Sequence, residues 1–584
     1  MILINKNSFT KHSIYLYFLL LLILTGGCNT QNKSVLSEID FGKNVYVFSP
    51  DMKMEHIQHI ADSVYVLQSD KHSEFNENRF ALLFMPGEYN LNIKVGYYTS
   101  VAGLGQTPNE VIINGGVEAF APPTYNGSVL INFWRSVENL TIVPTKDSTN
   151  VWAVSQAAPM RRVHIKGNLR LHDHGAASGG YLSDSKVDGK VDFGPQQQWF
   201  SRNCLWNSCS GGLWNIVSLD VLGAPEHQWP ERPYLSLEDT LLIREKPFLA
   251  LNKKNELVVK KPLQRKRMHG ISWLNSEDKD YTEVNIVDFY IAHSNLDNSK
   301  SLNAALQKGK HVLFTPGIYK LNESLQVTNP ETMLIGIGLP TLIPENGNAV
   351  MEIADIDGTT LSGLLVDAGL QKSETLIQFG TPESNHNHNN NPSYIFDLFV
   401  RVGGYIQGTT HNCLTINSNN VVIDHIWLWR ADHGNGAGWD LNKAASGLIV
   451  NGDDVTAYGL FNEHFQEYHT VWNGENGKVF FYQSEMPYFV PSPEEWQHDG
   501  TNGYASYKVA ENVNNHEVWG MGIYNVFFKS PVIVDQAVET PSHIEKKLNH
   551  ITTIWLGGNE SSEVRSVING KGQSVNINNR KAVW

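Results

Sequence analysis

The sequence is short of cysteine, of charge and of helical periodicity, and each shortage removes a class of protein. Four cysteines in 584 residues are too few for a disulfide scaffold, and without a Cys-x-x-Cys pair or zinc spacing no structural metal is expected. Cys204 and Cys209 stand close enough in sequence for a small-loop disulfide; two buried free thiols are the other reading. Only 18% of the residues are charged and the net charge is −14. Nucleic acid is thereby excluded as a partner, because a phosphate backbone needs a basic surface. The one concentration of positive charge, Lys253-Lys254, Lys260-Lys261 and Arg265-Lys266-Arg267, has no interleaved aromatics and reads as a linker or surface hairpin at 250–280. No Gly-x-Ser-x-Gly elbow offers a serine nucleophile. The His pairs 172/174, 386/388 and 464/469 lack the i, i+4 spacing of a zinc hydrolase, and His386 to Pro392 reads as an Asn-rich surface loop. No cofactor is expected.

Long apolar runs are also scarce. The one at Ile14 to Leu24 is too short to span a bilayer comfortably, and Lys6 and Lys11 precede it, as in an export signal. Thr25-Gly26-Gly27-Cys28 then resembles a bacterial lipobox with Thr where Leu is usual. The reading is a signal at 1–27, a lipid on Cys28 and a tether at 28–39. That makes an exported cell-envelope lipoprotein of the outer membrane, touching the membrane only through its lipid.

What the chain does have is repetition. Phe84-Met85-Pro86-Gly87-Glu88-Tyr89-Asn90-Leu91 returns as Phe314-Thr315-Pro316-Gly317-Ile318-Tyr319-Lys320-Leu321. The Gly103-Leu104-Gly105 and Gly336-Ile337-Gly338 cues follow in the same order, which points to tandem duplication of a domain. Within each half, short apolar runs alternate with Gly, Asn and Asp turns at roughly twenty-residue intervals, the pattern of a stacked β-solenoid. Helical periodicity is confined to Ser299 to Gln307 and its counterpart Ile57 to Val64. The fold expected is all-β: two tandem right-handed single-stranded parallel β-helices (pectate-lyase-like solenoids) packed side by side, at 40–249 and 281–584. A β-sandwich explains the cues less well.

The chemistry concentrates in Phe461 to Tyr488. Glu463 and Glu485 stand 22 residues apart, one coil of such a solenoid, so both fall on one face about 4.8 Å apart from strand to strand. Close carboxylates push their pKa values apart, which suits an acid and an anion in glycoside hydrolysis. Gln196 and Ser218 repeat the 22-residue interval in the first half, with Gln198 beside them, and either hold a water or form an internal polar ladder. The Gly-rich loop Asp432 to Asp440 turns tightly or approaches a ligand. Trp427, Trp429, Trp439, Trp472, Tyr488 and Trp496 offer apolar faces to sugar rings, although core packing is the alternative for each tryptophan and is expected for about half of them.

The duplicated PGxY cues, Gln196-Gln197-Gln198-Trp199, Gly223-Ala224-Pro225, Glu463-His464-Phe465-Gln466, Trp472-Asn473-Gly474 and Gln483-Ser484-Glu485-Met486-Pro487-Tyr488 resemble glycoside hydrolase family 55. That resemblance implies tandem β-helices with a cleft between them and inverting, mostly exo-acting hydrolysis of β-1,3-glucan. It implies Glu485 as general acid, Glu463 as the carboxylate that orients water, and Gln196 and Ser218 as the groups that hold it. Gln198, Trp439, Asp440, Trp472 and Tyr488 are then expected against the substrate, a polysaccharide or oligosaccharide met by a monomer without a metal. A polysaccharide lyase and a non-catalytic glycan-binding lipoprotein are the rivals. The first lacks the acidic cluster and basic catalyst it needs, and the second leaves the Glu pair unexplained.

Overall fold

The computed structural model describes Leu36 and residues 39–238, 242–274 and 277–584. The signal, Cys28 and most of the tether lie outside these residues. One compact unit begins at Phe41.

Alternation builds its strands. In Gly87–Lys94 the side chains of Tyr89, Leu91 and Ile93 are buried and those of Glu88, Asn90, Asn92 and Lys94 are exposed, the period-two signature of a strand with one wet face. The repeated PGxY motif does the same job in both halves. Tyr89 donates its hydroxyl to the carbonyls of Phe48 and Met85, and Tyr319 donates to those of Ala292 and Thr315. A helix follows the first strand of each half. Met54–Gln68 buries Ile57, Ala61, Val64 and Gln68 along one stripe, and Ser299–Gln307 starts with a reciprocal Asn298/Ser301 cap.

Successive coils stack their strands in parallel. Phe80–Phe84, Thr99–Gly103, Arg135–Val143, Met160–Ile165, Tyr181–Ser183, Gln198–Arg202 and Asn215–Leu219 neighbour one another in that order. In the second half the order is Thr360–Asp367, Tyr394–Val402, Val422–Arg430, Thr456–Glu463, Gly477–Glu485, His516–Phe527, Leu548–Gly558. A second parallel sheet, Leu325–Val327 through Thr470–Trp472 to Val538–Glu539, forms the opposite wall. These are the two β-helices expected. Each has its own apolar interior, and a third, aromatic cluster lies between them, with Trp134, Tyr181 and Phe200 against Phe399, Trp427, Phe461 and Phe481. Strands facing that seam are buried on both sides, which is why Tyr394–Val402 reads YIFDLFVRV without alternation.

Each helix bends at the same place on every coil. In the first, Asn139, Arg162, Asp184, Asn203 and Asp220 all have positive φ; in the second, Gly363, Asp397, His425, Gly459, Phe481, Gly520 and His550 do. The registers Phe396↔Asp424↔Tyr458↔Phe480↔Trp519 place the residues just before the bend in one column. Glycine takes this conformation freely, whereas other residues pay in backbone strain and need contacts to hold them. His425 is held from both ring nitrogens, by Asp397 Oδ1 at 2.7 Å and the carbonyl of Gln156 at 2.9 Å.

Polar groups cross the seam too. Arg161 makes two 2.8 Å bonds to Asp397 and reaches Asp424 at 3.2 Å, while Arg202 binds both Asp424 and Glu245. The segment expected to be a linker or surface hairpin is a hairpin with Lys253, Lys254, Lys266 and Arg267 exposed, and two of its basic residues, Lys260 and Lys261, are buried. Phe248–Leu251, Leu257–Pro262 and Tyr281–Asn285 form an antiparallel sheet whose first two strands are buried and whose third is partly exposed. Lys260 lies over the Tyr281 ring and donates to Gln106, and Lys261 pairs with Glu331. Charge density misled for Lys260 and Lys261, whose ammoniums find partners while their stems pack as hydrocarbon. Beyond it, Ser272 and Trp273 are tied to Asp184, and Met268 to Asn203, so the chain between the helices is strapped along the first bend column.

Candidate active site

Thr456–Glu463 and Gly477–Glu485 each end on their carboxylate. The register Phe461↔Gln483 and the bond from His464 N to Glu485 O put the two one coil apart, as the 22-residue spacing predicts. They are drawn toward different partners. Glu463 accepts from Trp427 Nε1 at 2.7 Å, Gln483 Nε2 at 2.5 Å and, across the seam, Gln156 Nε2 at 2.9 Å. Glu485 accepts from the hydroxyl of Tyr488. Both are nearly closed off, at 2% and 8% exposure.

Burial lifts both carboxyls above the ordinary range. Glu485 is pushed up to about 7, with the Tyr488 hydroxyl opposing the rise and the charge of Asp432 adding to it. Glu463 is raised by burial first and then by the charge of Glu485, so the two titrate as a pair. The N–H donors on Glu463 oppose that rise by favouring its anion. Asp432 is itself held at about 2: burial works against its charge, but His433 and His464 outweigh it. His433, between Asp432 and Glu74, is pushed up to about 11 by those acids in spite of burial.

The first-half partners are not those expected. Gln196 turns into the interior of its own helix, accepting from Gly179 N at 2.8 Å and donating to the carbonyls of Leu171 and Val154. Ser218 stacks in register between Ser201 and Ser236 and bonds to neither carboxylate. These are the polar ladder. The residue that reaches a carboxylate is Gln156, on Glu463, and behind it, 22 residues on, stands Ser178, whose Oγ lies 3.1 Å from Gln156 Oε1 and 2.9 Å from Ser155 Oγ. Spacing alone finds both pairs and cannot tell which side of the coil each faces. Gln198 supports this group from below, donating to the carbonyl of Ser178.

Among the residues expected against substrate, Tyr488 is at the site, packed on His464 and on the exposed Phe528. Trp472 is not: it is fully buried inside the second helix, 4.7 Å from His516. Trp439 is buried under the Gly-rich loop beside Arg430, and Asp440 is exposed on that loop. Trp427 and Trp429 stack on each other and on Phe133 in the seam, so the tryptophans are packing more than platform. Cys204, Cys209 and Cys413 are free thiols. Among the described residues no group of three or more His, Cys, Asp or Glu side chains is arranged to hold a metal.

Comparison with known proteins agrees with this architecture. Residues 289–485 match the LAM55 pectate lyase-like domain, a span that ends on Glu485. An exo-β-1,3-glucanase of Streptomyces sp. (strain SirexAA-E / ActE) is 42% identical over 537 residues, covering 91% of this chain and 87% of that protein. The chain belongs to glycoside hydrolase family 55. Family 55 membership extends to the whole fold: the structure of sacteLam55A from Streptomyces sp. SirexAA-E superposes with a TM-score of 0.90 at 40% identity, covering 94% of this chain and 98% of that one. A glutamate-to-alanine variant of sacteLam55A in complex with glucose matches with a TM-score of 0.89 over the same coverage.

Proposed function

We propose that this protein hydrolyses β-1,3-glucan from the chain end with inversion at the anomeric carbon. The observation that carries the reading is the pair of buried carboxyls on adjacent coils, one held near pH 7 and the other facing three N–H donors. Glu485 donates its proton to the glycosidic oxygen as the C–O bond breaks. A water held by Glu463, Gln156 and Ser178 attacks the opposite face, and its proton passes to Glu463. Strand spacing alone is tight for that water, and the two carboxyls take their hydrogen bonds from different sides, Glu463 from Gln156 of the first helix and Glu485 from Tyr488. The Asp432 anion favours the positive charge that develops on the sugar. The aromatic stack of Trp427, Trp429, Phe75 and Phe133 closes one side of the site, and a blind end favours exo attack.

The first-formed sugar from laminari-oligosaccharides is therefore the α-anomer by NMR; a β-anomer would mean retention, with Glu463 as nucleophile. The rate falls on the alkaline side with an apparent pKa near 7, because the acid must hold its proton. Tyr488→Phe removes a donor that favours the Glu485 anion, so that limb moves to higher pH in a kcat/KM profile.

The lipobox belongs to the same reading. We place the enzyme on the cell envelope through Cys28, and Cys28→Ala moves it from the detergent-extracted membrane fraction to the soluble one.

A further inference from the structure

Two sequence features that the catalytic site does not use, the basic Lys266-Arg267 and the Asn-rich loop at 386–392, meet on a single cleft of about 590 Å³. It lies on the seam at the beginning of the strands that end on Glu463 and Glu485, lined by Val422, Thr456 and Lys478. Eight residues of extended chain separate it from the carboxylates, roughly 20 Å.

The polar groups in this cleft are of one kind. Asn387 accepts from Asn389 N, Asn420 from His388 N and Asn476 from Asn515 Nδ2, each at 2.9 Å. Each amide thus uses its oxygen within the protein, and among the described residues its NH₂ has no acceptor. Lys266 and Arg267 are exposed and have no ion pair among the described residues, and Lys478 meets Glu517 only at 3.7 Å. Against these cations the described lining holds one carboxylate, Asp454. In a chain of net charge −14, a concave surface made of donors and cations asks for an acceptor-rich anion. The groups also repeat. Asn420, Asp454 and Asn476 each stand two residues ahead of Val422, Thr456 and Lys478, which pair in register from coil to coil. Side chains so placed recur about every 4.8 Å along the helix, a step comparable to one ring of an extended sugar chain.

We infer that this cleft binds an acidic glycan, one carrying sulfate esters or carboxylates, as a site separate from the catalytic one. The reading does not depend on which neutral glucan is hydrolysed. Isothermal titration of the whole protein with dextran sulfate and with polygalacturonate tests it, with neutral dextran as control. At least one acidic polymer binds, and which one distinguishes sulfate from carboxylate. Lys266→Glu/Arg267→Glu weakens that binding about tenfold or more at moderate salt and leaves kcat/KM on a short laminari-oligosaccharide unchanged. Lys300→Glu/Lys320→Glu, the same charge change on exposed lysines elsewhere, leaves the binding intact. The inference is overturned if neither polymer binds, if the two double variants lose binding equally, or if duplex DNA binds as tightly as the acidic glycans.

Discussion

Glu485→Gln lowers kcat on laminari-oligosaccharides by about 10³-fold, the scale of a lost general acid, and leaves the protein folded. Glutamine fills the same volume and keeps an oxygen for the Tyr488 hydroxyl, but it has no proton to give. Such a loss corresponds to about 4 kcal/mol of transition-state stabilisation. A merely structural glutamate would show comparable losses on every substrate. An acid does not, because a leaving group that departs as a stable anion needs no proton. With a dinitrophenyl β-glucoside the Gln variant therefore recovers much of its deficit, and its alkaline limb near pH 7 disappears. Near-wild-type turnover of the oligosaccharide would remove Glu485 from the mechanism. A loss equal on both substrates would move its role from proton transfer to binding.

The second large effect is on stability. Asp424 stands where the two β-helices meet, accepting from Arg202 Nε at 3.0 Å, Arg161 Nη1 at 3.2 Å and the hydroxyl of Tyr181. Asp424→Asn keeps its outline and removes its charge, leaving buried Arg202 with Glu245 alone and Arg161 with an Asp397 it shares with Lys246, itself also paired with Glu138. Breaking a buried pair from one side costs about 3–5 kcal/mol, since the stranded guanidinium cannot be rehydrated. The urea midpoint of the variant falls accordingly. The sign with pH follows from Asp424 being held below the usual carboxylate range by Arg202 and Arg161 against the opposing effect of burial. Its contribution is present above the unfolded carboxylate pKa of about 3.9 and is lost as pH drops through the lower folded value. Wild type and variant thus differ fully at neutral pH and converge in acid. A midpoint shift that persisted unchanged in acid would assign the loss to packing.

How much of this was legible in the sequence varies residue by residue. The PGxY repeat announced the duplication because Tyr89 and Tyr319 perform one local task, and a local task leaves a local motif. The Glu463/Glu485 pair was legible because a coil of 22 residues turns sequence spacing into neighbourhood. The same arithmetic chose Gln196 and Ser218 over Gln156 and Ser178, since a period fixes the rung and not the side of it. Only the closed hydrogen bonds of Gln196 inside its helix settle that. The tryptophans were misread for a related reason. Apolar faces suit sugars and cores equally, and in a fold with three cores most large rings are claimed by packing. Lys260 and Lys261 looked like surface because their partners, Gln106 and Glu331, lie far away along the chain.

The stacked bend has a consequence for how this enzyme can change. Counting four residues past each bend of the second helix gives Asp367, Arg401, Trp429, Glu463, Glu485, Tyr524 and Ile554, with strand registers Asp367↔Arg401↔Trp429↔Glu463 and Glu485↔Tyr524↔Ile554. An ion pair, an aromatic wall, the two carboxyls proposed for catalysis and a tyrosine facing Trp214 thus occupy equivalent places on one repeated frame. Backbone geometry is common to all of them, so replacing one side chain need not disturb where the next is aimed. Substrate range can then drift at single positions such as Tyr524 while the chemistry next door stays in place, an arrangement that lets variation in recognition proceed without relearning catalysis.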